Sequence, residues 1–219
     1  MVADVGSGTG ILSELFLRNG NRVFGVEPNR QMRSAAEHLL RRYPRFTSID
    51  GAAEATTLAD SCVDFVTAAQ AFHWFEQQRA QAEFKRILKT DGWVILVWNE
   101  RRLAASDFLR HFEDLLLKYG TDYAKVRHEN VENEIASFYE PAPFALATFE
   151  NLQELDFAGL QGRVCSASYT PEPGHPHYDP MLKQLNDVFR RHQVHGKVTI
   201  EYDTRVYYGH LTPLPPRLQ

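Results

Sequence analysis

The chain has 219 residues, of which 43% are hydrophobic and 24% charged, and its formal net charge at pH 7 is −4. These values are typical of one folded domain with a substantial core, and the negative balance argues against nucleic acid as a partner. No apolar stretch approaches the ~20 residues that a membrane-spanning helix needs, and the two cysteines fit a reducing cytoplasm better than a disulfide framework.

Apolar runs alternate with amphipathic stretches in the first half of the chain, which predicts strands and helices in turn. The predicted strands are VADV, RVFGVE, RFTSID, VDFVTAA and WVILVW. The predicted helices between them cover residues 11–20, 29–42 and 76–89. The first helix has an apolar face made of Ile11, Leu12, Leu15 and Phe16, and the second has Met32, Ala35, Ala36, Leu39 and Leu40 facing inward. Strands connected through helices predict a doubly wound, mostly parallel α/β sheet with helices on both faces.

The second half continues this pattern with longer pieces. Helices are predicted over 106–119, 157–166 and Pro180–His192, and a strand at FENLQELD. The stretch KVTIEYDTRVYYGHL alternates, which predicts a half-buried, antiparallel last strand whose apolar face is Val198, Ile200, Tyr202, Thr204, Val206 and Tyr208. We expect one domain over residues 1–210 and a disordered tail over 211–219.

Three alternating glycines, Gly6, Gly8 and Gly10, follow the first predicted strand. Ligands of a doubly wound sheet bind beyond the carboxyl ends of its strands, and a turn without Cβ atoms lets the backbone approach them closely. A dinucleotide-binding fingerprint would place its third glycine at position 11, where this chain has Ile11. The spacing therefore disfavours an NAD-dependent oxidoreductase.

Two acidic residues at strand ends indicate the kind of ligand. Asp4 belongs to the end of the first strand, where it would repel a pyrophosphate and favour a positively charged group. Glu27 ends the second strand, where a carboxylate can bind both hydroxyls of a ribose. A ligand with a ribose, a cationic centre and no phosphate suggests S-adenosylmethionine (SAM), which we predict as the cofactor.

Four stretches in the first 100 residues resemble class I SAM-dependent methyltransferases of the small-molecule group called methyltransferase type 11. They are VADVGSGTG, VEPNRQM, GAAEATTLADSCVDFVTAAQAFHWF and LKTDGWVILVWNE. The group includes relatives of quinone-pathway C-methyltransferases and of trans-aconitate methyltransferase. The later stretches LDFAGLQGRVCSASYTPEPGHPHYDPM and EYDTRVYYG resemble a poorly characterised branch of it. The resemblance implies a Rossmann-like sheet of seven strands. Relatives carry helices before the first strand, so we expect this N-terminal cap to be missing here.

The resemblance implies a role for each residue around the cofactor. Asp4 would contact the methionine amino group, directly or through water, and Glu27 would hold the ribose hydroxyls. The backbone of the three glycines would line the methionine moiety, and Ala69 and Gln70 would border its reactive end. The other implied cofactor-binding residues are Pro28 and Asn29 beside the ribose, Met32 near the adenine or ribose, and Ala53 and Glu54 at the adenine edge.

Each of these roles has a structural alternative. The glycines could form only a tight turn, and Glu27 could be a favourable charge at a helix N-terminus. Met32 could be part of the core stripe of its helix, and Glu54 could be a solvated surface acid.

The stretch FHWF follows the fourth strand, at the mouth of the expected cofactor crevice. Phe72 and Trp74, together with Asn99 after the fifth strand, are predicted to border the acceptor pocket, where ring faces can attract a sulfonium. His73 is the candidate catalytic residue, as a general base or to orient the acceptor. The alternatives are that His73 caps the next helix, that the aromatic side chains seal the sheet edge, and that Asn99 is a polar strand end.

These patterns together predict an enzyme that transfers the methyl group of SAM to a small molecule and releases S-adenosylhomocysteine. The position that reads NPPY in many nitrogen methyltransferases reads AQAF here, which disfavours nucleic-acid and protein acceptors. No metal ion and no membrane partner are predicted, and the oligomeric state and the acceptor stay open. The alternative hypothesis is a SAM-binding or truncated remnant that no longer transfers methyl groups.

Overall fold

The computed structural model describes residues 1–121, 123, 131–167 and 169–212, and these contain seven strands and seven α-helices. The predicted tail lies outside the described residues from position 213 onward. None of the described helices is long and apolar enough to cross a membrane. The strands are β1 (Val2–Val5), β2 (Val23–Val26), β3 (Phe46–Ile49), β4 (Val63–Ala69), β5 (Leu88–Arg101), β6 (Phe144–Leu155) and β7 (Val198–Gly209). The helices are α1 (Ile11–Arg18), α2 (Arg30–Leu40), α3 (Gln77–Ile87), α4 (Asp107–Tyr119), α5 (Val131–Tyr139), α6 (Phe157–Cys165) and α7 (Tyr178–His192).

The strands form one sheet in the order β3-β2-β1-β4-β5-β7-β6. The pairs β1–β2, β1–β4, β2–β3 and β4–β5 are parallel, and β7 is antiparallel. All four residues of β1 are buried, as expected for a central parallel strand with both faces covered. The prediction of a doubly wound, Rossmann-like sheet with an antiparallel last strand is therefore confirmed.

The chain divides into two compact units. The first contains residues 1–98, 133–147 and 205–219, and the second contains 99–132 and 148–204. A cluster in the first unit packs α1 and α2 against the sheet through Val2, Leu17, Val23 and Leu40. The second unit has its own core, formed mainly by α4, α6, α7 and the start of β7. The single domain over residues 1–210 stays a prediction.

Helix ends follow the capping chemistry of the sequence. The Asn29 side chain accepts hydrogen bonds from the N–H groups of Gln31 and Met32 and so begins α2. Glu76 and Ser106 begin α3 and α4 in the same way. Acceptor side chains at these positions satisfy N–H groups that the helix itself leaves unpaired.

Three details of the predicted packing are wrong. In α1, Ile11 is 79% exposed and Leu15 is also exposed, and the buried residues are Ser13 and Leu17. In α2, Met32 and Leu39 are exposed instead of facing inward. In β7 the alternation holds as far as Tyr202, but beyond it the buried side chain is Tyr207 and not its neighbours. This change in β7 coincides with the boundary between the two units at residues 204 and 205.

Candidate functional site

The carboxyl ends of β1 and β4 define the candidate site. Chain order runs from β1 toward β2 and β3 on one side of the sheet, and toward β4 and β5 on the other. A crevice forms at such a reversal, because the connections leave β1 and β4 on opposite faces. The loops after β1, β2 and β4 all lie in the first unit.

The loop after β1 has a backbone that only glycine adopts easily. The φ angles of Gly6, Gly8 and Gly10 are 67°, 56° and 86°, in the left-handed region where a Cβ atom is unfavourable. A Cβ on Gly6 would lie 2.5 Å from the Cβ of Ala71, so this loop packs directly against the segment after β4. At Gly8 only the Met32 Sδ atom, among the described residues, would come within 4 Å of a Cβ, at 3.9 Å. The Cβ side of Gly8 therefore faces open space.

Glu27 joins the loops after β1 and β2. Its side chain is 7% exposed, and its Oε2 atom accepts a hydrogen bond from the Gly8 N–H at 3.0 Å. Its Oε1 atom accepts another from the Asn29 N–H at 2.9 Å. Each carboxylate oxygen retains a further lone pair, so Glu27 can hold both loops and still accept hydrogen bonds from a ligand.

The segment around Pro28 is fixed by Arg33. The Arg33 guanidinium donates to the backbone carbonyls of Glu27 and Pro28 at 2.8 and 2.7 Å and also pairs with Asp50. These contacts and the Asn29 cap determine the path of the chain from β2 into α2. The predicted roles of Pro28 and Asn29 in shaping this turn therefore have a physical basis, although their contact with a ligand stays a prediction.

Met32, Ala53 and Glu54 are the remaining residues predicted on the adenine side. Met32 is 45% exposed and its sulfur lies beside Gly8, which excludes the alternative of a plain core residue. Ala53 is buried in a turn closed by the bridge between Ala52 and Ala55. The Glu54 carboxylate accepts from the Glu76 N–H at 2.7 Å, so it is a fixed acid and not a freely solvated one.

Asp4 is 1% exposed and lies behind the glycine loop. Its carboxylate accepts hydrogen bonds from the Ser13 hydroxyl at 2.6 Å and the Thr67 hydroxyl at 3.3 Å. Burial raises the pKa of Asp4 to about 6, and the two hydroxyl bonds only partly offset this effect. The carboxylate thus ties α1 and β4 to β1, and direct contact with a ligand would require Ser13 or the loop to move.

The end of β4 carries an unusual backbone conformation. Gln70 directly follows Ala69, the last residue of the strand, and has a φ angle of 55°. Its N–H donates to the Val97 carbonyl at 3.0 Å, which keeps the residue in register with β5. A non-glycine residue in this region is held there by its surroundings, and such residues cluster at functional sites. Gln70 and Ala69 lie at the end of β4, on the other side of β1 from Glu27, and their place beside a cofactor stays a prediction.

The FHWF residues separate into core and surface positions. Phe72 is almost fully buried and packs edge-on against Phe75 and Phe138, which makes it a core residue with no exposed surface for an acceptor. Trp74 is 66% exposed. The His73 ring lies between Trp74 and Trp98, with centroid distances of 4.8 and 5.3 Å. The cap at α3 is made by Glu76 and not by His73.

Asn99 belongs to the second unit. Its side-chain oxygen accepts a hydrogen bond from the Thr204 hydroxyl at 2.6 Å, and Asn151 lies within 3.5 Å of the same oxygen. It is therefore part of a polar contact across neighbouring strands. Its place in an acceptor pocket stays a prediction.

Comparison with known proteins bears on the class of this site. Residues 3–96, which contain the glycine loop, Glu27 and the end of β4, match the model of the family described as "Methyltransferase domain", the type 11 group. These residues form a methyltransferase domain. This result confirms the predicted class of protein, and SAM is the cofactor of that class.

Curated relatives match the same part of the methyltransferase domain. An uncharacterized methyltransferase from Mycobacterium tuberculosis is 38% identical over 100 residues, which are 46% of this chain and 40% of that protein. An uncharacterized methyltransferase-like protein from Schizosaccharomyces pombe is 32% identical over 102 residues, which are 46% of this chain and 39% of that protein. The chain thus matches about two fifths of the length of these relatives.

Solved structures share the fold over most of the chain. A protein from Anaeromyxobacter dehalogenans that is assigned as a type II methyltransferase has a TM-score of 0.71 at 20% identity, covering 97% of this chain and 90% of that one. The YcgJ protein from Bacillus subtilis has a TM-score of 0.58 at 18% identity, covering 95% of this chain and 90% of that one. The fold around the methyltransferase domain therefore extends beyond the segment that sequence similarity detects.

Trp98 is a neighbour of the candidate residue His73 that the sequence analysis did not single out. It lies inside the apolar run WVILVW, for which the sequence predicts core residues, and it is largely buried. Its ring contacts that of His73 because β5 is the parallel neighbour of β4, after which His73 follows. A signal was available in the sequence, since Trp98 is the last residue of that run before the polar pair Asn99 and Glu100.

Proposed function

We propose that this methyltransferase domain binds SAM in the crevice between β1 and β4 and transfers its methyl group to a small molecule. The observation that carries the proposal is the contact between the Gly8 N–H and the Glu27 carboxylate. It brings an acid suited to ribose hydroxyls against a loop whose backbone faces open space. A carboxylate that binds a ribose occurs in NAD sites as well, so the glycine spacing separates the two ligands: Ile11 stands where a dinucleotide-binding fingerprint has its third glycine.

The residues present fit the proposed cofactor on two counts. Open space at Gly8, limited by the exposed Met32 side chain, leaves room for a ligand against the loop backbone. Glu27 is buried but keeps lone pairs for two hydroxyl groups, as described above. Ala53 and Glu54 are proposed for the adenine edge, and Pro28 and Asn29 for the turn beside the ribose.

When bound, SAM supplies a methyl group on a sulfonium sulfur and leaves as S-adenosylhomocysteine once an acceptor atom has taken that methyl. The chain's own contribution to the reaction is mainly to hold cofactor and acceptor in the reactive geometry, since a well-aligned pair of reactants needs little further catalysis. Gln70 and Ala69 form the wall between cofactor and acceptor. Asp4 keeps that wall aligned with the glycine loop through Thr67 and Ser13.

The test is the affinity of Glu27→Ala for S-adenosylhomocysteine, measured by titration calorimetry. We expect a loss of roughly 1–3 kcal/mol, because ribose hydroxyls would lose a buried partner. Glu37→Ala is the matched control, since Glu37 is exposed on α2. The 2′-deoxy analogue separates ribose recognition from general loosening of the loop. Loss of the 2′-hydroxyl should weaken binding to the wild-type chain and leave binding to Glu27→Ala unchanged.

NAD serves as the second ligand in the same titrations. Binding of S-adenosylhomocysteine and not of NAD supports the proposal, and equal affinity of Glu27→Ala and wild type would remove the ribose assignment. Binding without transfer to any acceptor would favour the alternative of a SAM-binding protein without activity.

We also propose that the protein works in the cytoplasm, without a nucleic-acid or membrane partner. Cys62 and Cys165 are both free thiols, and the net charge of −4 gives no basic footprint for phosphate.

A further inference from the structure

His73 lies in an aromatic setting at the end of β4. The short turn Phe72–Trp74 holds its ring edge-on to Trp98, with an interplanar angle of 79°. On its other side the ring is tilted by 43° against Trp74, whose indole is mostly exposed. The imidazole thus lies between a largely buried and a mostly exposed indole ring in the segment that follows β4, and all three residues belong to the first unit.

The two ring nitrogens of His73 differ in their surroundings. Nδ1 is buried and has no hydrogen-bond partner among the described residues, whereas Nε2 does not share this combination of burial and a missing partner. A histidine that takes up a proton as a base usually has its second nitrogen held by a carboxylate or carbonyl, which fixes the tautomer and stabilises the cation. Nothing of this kind faces Nδ1 in the described chain.

This arrangement disfavours the charged form of His73. Protonation at both nitrogens would leave a charged N–H group buried without an acceptor, which is a costly loss. Burial alone lowers the pKa of His73, and the neighbouring rings of Trp74 and Trp98 do not titrate. The nearest acid along the chain, Glu76, is engaged with the Arg79 N–H and guanidinium. The proton of neutral His73 is best satisfied on Nε2, where solvent or a ligand can accept it.

We propose that His73 is a neutral hydrogen-bond donor to the acceptor through Nε2 and not a general base, and that the acceptor is a planar acid. The exposed face of Trp74 would stack on the planar body of such a molecule, and the Nε2–H group would bond to its carboxylate, phenolate or enolate oxygen. This inference rests on the proposed function of the same crevice.

The acceptor is proposed to be an acid because His73 does not act as a base. An acceptor that arrives already deprotonated gives an electron pair to the methyl carbon while the carbon–sulfur bond breaks, so no proton is removed in that step. An acceptor amine that arrives as a cation would need a base to take its proton. Neutral His73 already carries its proton on Nε2, so it cannot take the proton of such an amine.

The first experiment is nitrogen-15 NMR of the histidine rings in the full chain, with His73→Gln used to assign the signals. We expect His73 to be the Nε2–H tautomer and to remain neutral at pH values where exposed histidines become charged. An Nδ1–H tautomer, or titration at or above the ordinary pKa of histidine, would overturn the proposal. This readout does not depend on cofactor binding, so it separates this inference from the proposed function.

The second experiment tests the acceptor class with two planar probes of similar size, benzoate and benzylamine. Each is titrated at millimolar concentration into the chain saturated with S-adenosylhomocysteine, while the Nε2 signal of His73 is followed. A shift with benzoate and none with benzylamine is expected. A shift with benzylamine alone, or with neither probe, would overturn the acid class. Failure of S-adenosylhomocysteine itself to bind would count against the proposed function instead.

Variants separate donation from packing. His73→Gln keeps a donor and His73→Phe keeps the ring without one. Benzoate affinity should fall by about tenfold to a hundredfold in His73→Phe, as expected for loss of a hydrogen bond to a charged group, and His73→Gln should recover most of that loss. Affinity for S-adenosylhomocysteine should be unchanged in both variants. Equal losses of benzoate binding in the two variants would reduce His73 to a packing role.

Discussion

The Asp4 carboxylate is buried at the centre of the sheet with fewer partners than its charge requires. It is buried behind the glycine loop and bonded to two hydroxyls from α1 and β4. Two neutral donors do not compensate a fully buried negative charge, because desolvation of an ion is costlier than the hydrogen bonds it gains. The fold therefore tolerates Asp4 at neutral pH at a cost in stability, while its two hydrogen bonds connect α1 and β4 to β1.

We predict that Asp4→Asn removes a pH-dependent part of the free energy of unfolding. Because the pKa of Asp4 is raised from 3.8 to about 6 in the fold, its contribution to stability is fully present below pH 3.8 and is lost as the pH rises through 6. The difference between wild type and variant should change by up to about 3 kcal/mol across this range. Urea unfolding at a series of pH values from 4 to 7 measures it.

The matched control for this prediction is Asp91→Asn, since Asp91 is exposed in β5. This variant removes a carboxylate from an exposed position and so controls for the change in net charge. If Asp4→Asn and Asp91→Asn have the same dependence of unfolding free energy on pH, the raised pKa of Asp4 is incorrect and the carboxylate is better solvated than the structure indicates.

Single residues also show how far sequence reasoning reaches at the site. The proposed role of Glu27 could be predicted because it depends only on being the residue after β2, and strand ends are visible in the apolar pattern. The burial of Asp4 by Ser13 could not be found, because Ser13 lies on the polar side of its predicted helix and only the folded chain brings the two together. For the same reason the interior position of Phe72 and the contact of His73 with Trp98 required the structure.

At the level of elements, the close packing of the loop between β1 and α1 predicts different effects for two glycine-to-alanine substitutions. Gly6 and Gly20 both have positive φ angles, but a Cβ on Gly6 would meet Ala71 whereas a Cβ on Gly20 would meet nothing within 4 Å. Gly20→Ala should cost only the left-handed backbone penalty, about 1–2 kcal/mol. Gly6→Ala should cost about 1–3 kcal/mol more from overpacking and should weaken S-adenosylhomocysteine binding, since the loop must move away from the end of β4.

Denaturant unfolding and calorimetry on the two alanine variants check this prediction. Gly20→Ala controls for the backbone conformation, so it should bind S-adenosylhomocysteine like the wild type. If the two variants have equal stability and equal affinity, the close approach of the two loops does not exist in solution.

The end of β5 and helix α4 provide a second prediction at this level, within the second unit. Glu113 is buried and Arg101 is partly buried, the two side chains lie 3.3 Å apart, and Tyr123 bonds to both. Glu113→Ala should cost roughly 3–5 kcal/mol of stability because it leaves a partly buried cation without its partner. The double variant Arg101→Met with Glu113→Leu should be much closer to wild type. Urea unfolding of the two proteins decides this, and a double variant no more stable than Glu113→Ala would contradict it.

The buried face of α1 differs from the face that its sequence predicts. Periodicity places Ile11, Leu12, Leu15 and Phe16 on one side, and hydrophobicity alone would turn that side inward. The observed orientation instead buries Ser13 and Leu17, and it places the Ser13 hydroxyl in a hydrogen bond to the Asp4 carboxylate. A polar contact that is invisible in the sequence thus overrides an apolar pattern.

For the whole molecule, the sheet could be predicted because alternating strands and helices permit few topologies. All five parallel strands appear where the apolar runs indicate, although β5 begins earlier, at Leu88. The early start of β6 at Phe144 and the helix α5 were not predicted. The exposed β6 lacks the continuous apolar run that marks a buried strand, and the division into two units depends on contacts between distant segments that local patterns do not contain.

The last prediction concerns how ligand binding affects the two units. S-adenosylhomocysteine at a hundred times its dissociation constant should stabilise the folded state that binds it by about 2.7 kcal/mol. Amide hydrogen exchange should therefore slow by up to about a hundredfold at Gly8, Asn29 and Gln70 in the first unit. Amides in α4 and α7 should slow less, because the second unit has its own hydrophobic core. Exchange followed residue by residue by NMR, with and without ligand, measures both effects. Unchanged exchange at Gly8 would contradict the proposed binding site, and equal slowing everywhere would show that the two units unfold together as one cooperative domain.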